Sequence, residues 1–227
     1  MIADYSRRVR RYHAYAGPLL ATLLLTIITG CSDNAVNTTN SQPDHPPSPV
    51  LNFTAIPDQN STELAEKFAP LAAHLSNELD ITVNYIPARD YQASVEMFRN
   101  GDVQLAWFGG LTGVQAREAV PGARAIAQGV SDPVYFSYFI AHESTGIALG
   151  EDFPSDISAL RFTFGSESST SGRLMPEFFI RDATGKGPMD FFTNPVGFSG
   201  SHDKTVELVE SGQYQLGAVN YKVYDRR

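Results

Sequence analysis

Residues 161–180, RFTFGSESSTSGRLMPEFFI, pass from a β-rich apolar stretch, through the four consecutive hydroxyls Ser168, Ser169, Thr170 and Ser171 and then Gly172, into an apolar helical pattern. That order is strand, loop, helix. Pro176 is tolerated only near a helix start, which places the first turn at about residues 172–175. A helix start presents unpaired N–H groups and the positive end of a dipole, and neighbouring hydroxyls add donors, so the loop has the parts of an anion cradle. An ordinary Ser/Thr cap on a solvated loop fits the same spacing, although four hydroxyls exceed what a cap requires.

The same rhythm extends in both directions. Downstream, a strand at 196–198 ends in Gly197-Phe198-Ser199-Gly200-Ser201, a helix starts at His202, and 216–219 is a further strand. Upstream, 51–56 (LNFTAI) is a strand broken by Pro57-Asp58-Gln59-Asn60. Leu64, Phe68, Leu71, Leu75 and Leu79 then recur at helical spacing, with Asn60 or Ser61 as the cap. Strands are expected at 81–86, 103–107 and 123–128, and helices at 91–100, closed by Gly101, and 111–119. An aromatic strand at 135–142 leads into the second unit. Strands alternating with helices predict an α/β fold with parallel pairing and helices on both sheet faces. Two such units joined by a strand form a two-lobed clamshell with its ligand between the lobes, the first at 51–140 and the second at 141–227. No closing element is expected after Val219, so the second lobe is either small or shortened.

Both hydroxyl-bearing loops follow carboxyl ends of strands, the edge at which open α/β sheets bind ligands. His202 can donate to an anion, or be a histidine beside a cap; Asp203 can cap its helix or accept a proton from the ligand. Asp58, Gln59 and Tyr91 occupy the corresponding places in the first lobe. Trp107 ends an apolar strand and is expected in the core, whereas Phe108, beside Gly109 and Gly110, can wall the site.

The amino terminus carries Arg7, Arg8, Arg10 and Arg11, then an apolar run at 19–28 too short to span a bilayer comfortably, then Ile28-Thr29-Gly30-Cys31. This is the pattern of a lipoprotein signal peptide, residues 1–31, with Cys31 as the lipidated residue. A lone cysteine in an exported chain has no internal disulfide partner. Residues 32–50 are polar, hold four prolines and show no hydrophobic period, as a disordered tether would. The expected address is the periplasm or the outer face of the cell envelope, with a lipid anchor in the membrane. Removing residues 1–31 takes four of the 17 basic residues and one of the 25 acidic ones, leaving 13 and 24, a net charge of −11. Nucleic acid is therefore excluded as a partner, while a small anion is not, because pocket affinity comes from local donors. Catalysis is disfavoured. Ser169, His202 and Asp203 are triad residue types, but no Gly-x-Ser-x-Gly elbow occurs and adjacent His and Asp cannot easily orient one another. The five histidines have no metal-ligand spacing, and neither metal nor cofactor is expected.

From residue 53 to 219 the chain resembles the phosphate/phosphite/phosphonate-binding proteins of ABC importers, closest to their selenate-binding branch. The likeness rests on ARDYQASVEMFRNGDVQLAWFGGLTGVQAREAVPGARAIAQGVSDP (88–133), SESSTSGRLMP (166–176) and FSGSHDKTVELVESGQYQLGAV (198–219). It implies the type II periplasmic clamshell fold and ligand contacts at Ser169, Thr170, Ser171, His202 and Tyr91. Phe108 stands where phosphonate binders often have tyrosine, which removes one hydroxyl donor. Tyr221 and Lys222 stand near a place where members that recognise aminoalkyl phosphonates use a carboxylate. The resemblance further implies a monomer that delivers a small oxyanion to a membrane permease and its ATPase, and a chain that continues beyond residue 227. The alternatives at this level are a ligand-sensing partner of a membrane kinase and an envelope hydrolase.

Overall fold

The computed structural model of the protein describes residues 48–150, 152–154 and 156–226. The expected signal peptide, Cys31 and nearly all of the tether expected at 32–50 lie outside the described residues. In the first layer, β1 (Val50–Ala55) is flanked by β2 (Thr82–Tyr85) and β3 (Leu105–Trp107), both parallel to it. Helix α1 (Ser61–Leu79) begins where Asn60 accepts the amide of Thr62 at 2.9 Å, as its type predicts. Its apolar stripe places Leu64 and Phe68 on Phe53, Ala55 and Val83, and Phe68 stacks on Tyr85 at 5.0 Å. Thr54 points to the opposite face by strand alternation and is also fully buried, so this sheet is covered on both sides. Helix α2 (Tyr91–Asn100) is capped by Asp90 and closed by Gly101 at φ +79°, where a residue with a Cβ would be strained. Helix α3 (Gly110–Ala119) follows β3.

The second sheet has the order β4-β7-β5-β6, from β4 (Ser137–Ala141), β5 (Phe162–Phe164), β6 (Gly197–Phe198) and β7 (Leu216–Asn220). β5 is parallel to both neighbours and β4 is antiparallel to β7. Every residue of β7 is buried, because helices cover both faces. On one side α4 (Met175–Thr184) and α5 (Pro188–Phe191) help enclose Phe162, Phe164, Ile180 and Phe192. On the other, α6 (His202–Glu210) and α7 (Tyr221–Tyr224) place Val206, Val209 and Val223 against Ile140 and Val219.

Four expectations change. The strand at 123–128 does not form: no strand pairs with this segment among the described residues, and Ile126 is exposed. β4 belongs to the second sheet, so a boundary at 140/141 cuts through it. Val219 is followed by the short α7, capped by Asn220. Trp107 is 44% exposed, because β3 is an edge strand of its sheet.

Gly217 lets α6 lie close on β7. A Cβ there would stand 2.7 Å from Thr205 Cγ2 and 3.0 Å from Val209 Cγ2, both rigid β-branched side chains. Gly217→Ala should destabilise the fold by about 1–3 kcal/mol, read as a lower midpoint of thermal unfolding by circular dichroism. An unchanged midpoint would contradict this packing.

Candidate anion-binding site

The helix after β5 opens with a wide π turn over Thr170–Leu174 before α4 begins at Met175. The Leu174 amide reaches the Ser169 carbonyl at 3.0 Å, and Ser169 Oγ accepts the Gly172 amide at 2.9 Å. Such turns are rare and concentrate at functional sites. This one is held against the end of β5, where the Gly165 amide donates to the Gly172 carbonyl at 2.9 Å. Gly172 has no substitute here, since a Cβ would meet His202 Cε1 and Ser169 Oγ, each at 2.9 Å.

His202 is 2% exposed and stands beside this turn at the start of α6. Its Nδ1 accepts the Asn220 amide at 3.3 Å, which assigns the neutral ring its proton on Nε2. Burial pulls its pKa down to about 4, so the ring is neutral at ordinary pH. Asp203 accepts the Asn60 amide at 3.0 Å. His202 thus receives the backbone of β7 at Nδ1, and Asp203 an amide of the first lobe.

Two further hydrogen bonds join the lobes at the same place. The His202 amide donates to the Asp58 carbonyl at 3.3 Å, and the Leu111 amide to Thr170 Oγ1 at 2.9 Å. Gly109 and Gly110 allow that approach, a Cβ on Gly110 falling 3.3 Å from Thr170 Oγ1. The Tyr91 phenol interacts with the Ser169 hydroxyl, and the Tyr135 phenol with that of Ser171. Burial pushes both phenols up, and the Asp58 carboxylate pushes them further, which locates Asp58 beside the hydroxyl run. Burial also raises the pKa of Asp58 itself, opposed chiefly by Lys67. Gln59 turns its amide toward Asp58 at 3.5 Å.

Ser169, Thr170, Ser171, His202 and Tyr91 thus come together, with Asp58 and Gln59 at their edge. Phe108 packs edge-on against Phe98 at 5.7 Å, and its ring is engaged with α2. An open groove lined by Arg89, Asp90, Glu96, Ser166 and Phe198 runs beside the cradle and shares Tyr91 with it. Tyr135 and Gly172 were not legible as site residues. Tyr135 reads as the start of an aromatic strand, and Gly172 as the first residue of the helix's first turn. Among the described residues no group of His, Cys, Asp and Glu is arranged to hold a metal.

The His202 shift sets a pH window. The folded ring binds its proton less readily than the unfolded one, at about 4 against 6.5, so its contribution to stability is full above pH 6.5 and is lost as the pH falls toward 4. Thermal unfolding of the wild type should weaken over that interval, by up to about 3 kcal/mol. His202→Gln should flatten the profile there. An identical profile in the variant would contradict a neutral buried ring.

Residues 53–227 match the family described as ABC transporter, phosphonate, periplasmic substrate-binding protein. Over 178 residues the chain is 44% identical to the probable ABC transporter phosphite binding protein PhnD1 of Prochlorococcus marinus MIT 9301, covering 78% of this chain and 60% of that protein. The structure of PhnD1 in complex with methylphosphonate superposes with a TM-score of 0.73, covering 78% of this chain and 65% of that one. The phosphonates-binding periplasmic protein of Escherichia coli K12 is 28% identical over 180 residues, which are 78% of this chain and 52% of that one. The chain thus spans between half and two thirds of the length of these relatives. With the α/β periplasmic binding fold in place, the chain belongs to the phosphonate-binding family of ABC-transporter periplasmic substrate-binding proteins.

Proposed function

We propose that this chain is the solute-binding component of an ABC importer that captures a small tetrahedral phosphorus oxyanion and delivers it to a membrane permease. The observation that carries the reading is how the cradle's acceptors are used. Backbone amides occupy Ser169 Oγ, Thr170 Oγ1 and His202 Nδ1 as acceptors, so the Thr170 hydroxyl and the His202 Nε2–H remain as donors, while the Ser169 hydroxyl is shared with the Tyr91 phenol. Such a cluster favours an anion, and its charge-assisted hydrogen bonds are worth about 1.5–3 kcal/mol each. Because Thr170 takes its amide from the other lobe, closure and assembly of the cradle are one event, as capture requires. The printed names of the relatives, phosphite binding and phosphonates-binding, point the same way, and so does methylphosphonate in the PhnD1 complex.

Asp58 narrows the ligand. A desolvated carboxylate beside the cradle tolerates an oxyanion that shares a proton with it, as phosphite, phosphonates and phosphate can near neutrality. Selenate and sulfate carry no proton there and meet repulsion, so the selenate expectation gives way to phosphorus. Cys31 and the proline-containing segment after it complete the proposal as a lipid anchor and spacer holding the binding domain at the envelope.

Calorimetric titration of the full chain should show methylphosphonate binding at least tenfold tighter than selenate. Asp58→Asn should weaken methylphosphonate about 10- to 100-fold without weakening selenate, and Ser169→Ala should weaken both about tenfold. Equal affinity of the wild type for the two anions would contradict the assignment of Asp58. Absence of binding to any of these oxyanions would contradict the function.

A further inference from the structure

Asn60-Ser61-Thr62-Glu63 opens α1 with the residue pattern of a capping box. In such a box the N-cap side chain takes an amide of the first turn, and the acidic residue three positions on reaches back to the N-cap amide. Only half of the box forms within the helix. Asn60 accepts the Thr62 amide at 2.9 Å, but the Asn60 amide donates to the other lobe, to Asp203 Oδ2 at 3.0 Å. Glu63 stands exposed in the first turn. Asp203 is not the cap of its own helix, since Ser201 is the N-cap of α6 and accepts the Lys204 amide at 3.3 Å. Alongside, the His202 amide donates to the Asp58 carbonyl at 3.3 Å, so the 58–60 loop and the start of α6 exchange two hydrogen bonds. The Asp203 carboxylate thereby sits at the positive ends of two helices, α6 in the second lobe and α1 in the first.

We propose that Asp203 is a positioning residue for capture: it holds the Asn60 amide while the lobes are closed, and Glu63 takes that amide when they part. The inference rests on the reading above of a binding protein that closes over its oxyanion, and it adds the interaction that sets how readily the lobes close. Asp203 acts on closure, by fixing the start of α6 against the first lobe, rather than on the anion. An amide that finds a carboxylate in either state costs little to hand over. The open and closed forms therefore stay close in free energy, and the ligand's own contacts decide between them. A change in the balance between the two carboxylates multiplies the closing equilibrium, so it alters the affinity for every ligand by the same factor and leaves the selectivity of the cradle alone.

Calorimetry of the full chain with methylphosphonate and phosphite tests this. Asp203→Ala should weaken both about tenfold and leave their ratio unchanged. Glu63→Ala removes the competing acceptor, so it should tighten both about threefold in the otherwise unchanged chain and alter neither in the Asp203→Ala background. An aspartate with a merely structural role would not couple to Glu63 in this way. Circular dichroism checks folding, and Asp203→Asn, which loses the charge and keeps the shape, replaces the alanine variant in both measurements if that one does not fold. Binding of both anions that is unaffected by loss of the Asp203 carboxylate, or a Glu63→Ala effect that is absent or equal in the two backgrounds, would overturn the inference and leave the oxyanion reading intact. A wild type that binds neither methylphosphonate nor phosphite would overturn that reading, and the inference with it.

Discussion

Three backbone amides, of Gly172, Leu111 and Asn220, hold the acceptor atoms of Ser169, Thr170 and His202. Without that arrangement each side chain could rotate and present a lone pair to an anion. With it, one acceptor position of each group is occupied by a rigid frame, which is the preorganisation that makes a small binding site effective. The three amides come from a π turn, from the start of a helix in the other lobe and from the end of a central strand. Folding of both lobes is therefore a condition for the cradle.

The frame depends on close approach. Gly165 and Gly172 bring β5 and the π turn together, Gly109 and Gly110 bring α3 to Thr170, and Gly217 seats α6 on β7. Burial in this packing keeps His202 neutral and raises the pKa of Asp58, the carboxylate beside the hydroxyl run. One structural cause thus supplies a neutral donor and a proton acceptor in the same site. Beyond the cradle, the Tyr135 ring packs edge to face on Tyr221 and beneath the Lys222 ammonium.

Much of this was legible in the sequence where local chemistry decides the outcome. The helical spacing from Leu64 to Leu79, the Asn60 cap, the Gly101 stop and the hydroxyl run before Pro176 all placed their elements within a few residues. The juxtaposition of Ser169, His202 and Tyr91 was legible from loops at strand ends and from the family likeness. What failed was decided by partners remote in sequence. Residues 123–128 have strand composition but, among the described residues, no strand pairs with them. Trp107 is exposed because β3 is an edge strand, and sheet order is not written locally. Tyr135 and Lys222 lie nearly ninety residues apart, and only the pairing of β4 with β7 brings them together. Spacing alone also could not say that Asp58 would lie beside the hydroxyl run while Asp203 would accept the Asn60 amide.

The central claim is that one proton is shared between Asp58 and the bound oxyanion, inside a cradle of hydroxyl and imidazole donors. It is tested most directly by counting protons taken up on binding, with titration calorimetry of methylphosphonate in buffers of different ionisation enthalpy, at a pH where the free ligand is fully deprotonated. The account predicts uptake of about one proton per ligand bound in the wild type, and a large reduction in Asp58→Asn. Binding of the fully deprotonated ligand with no proton uptake would contradict it.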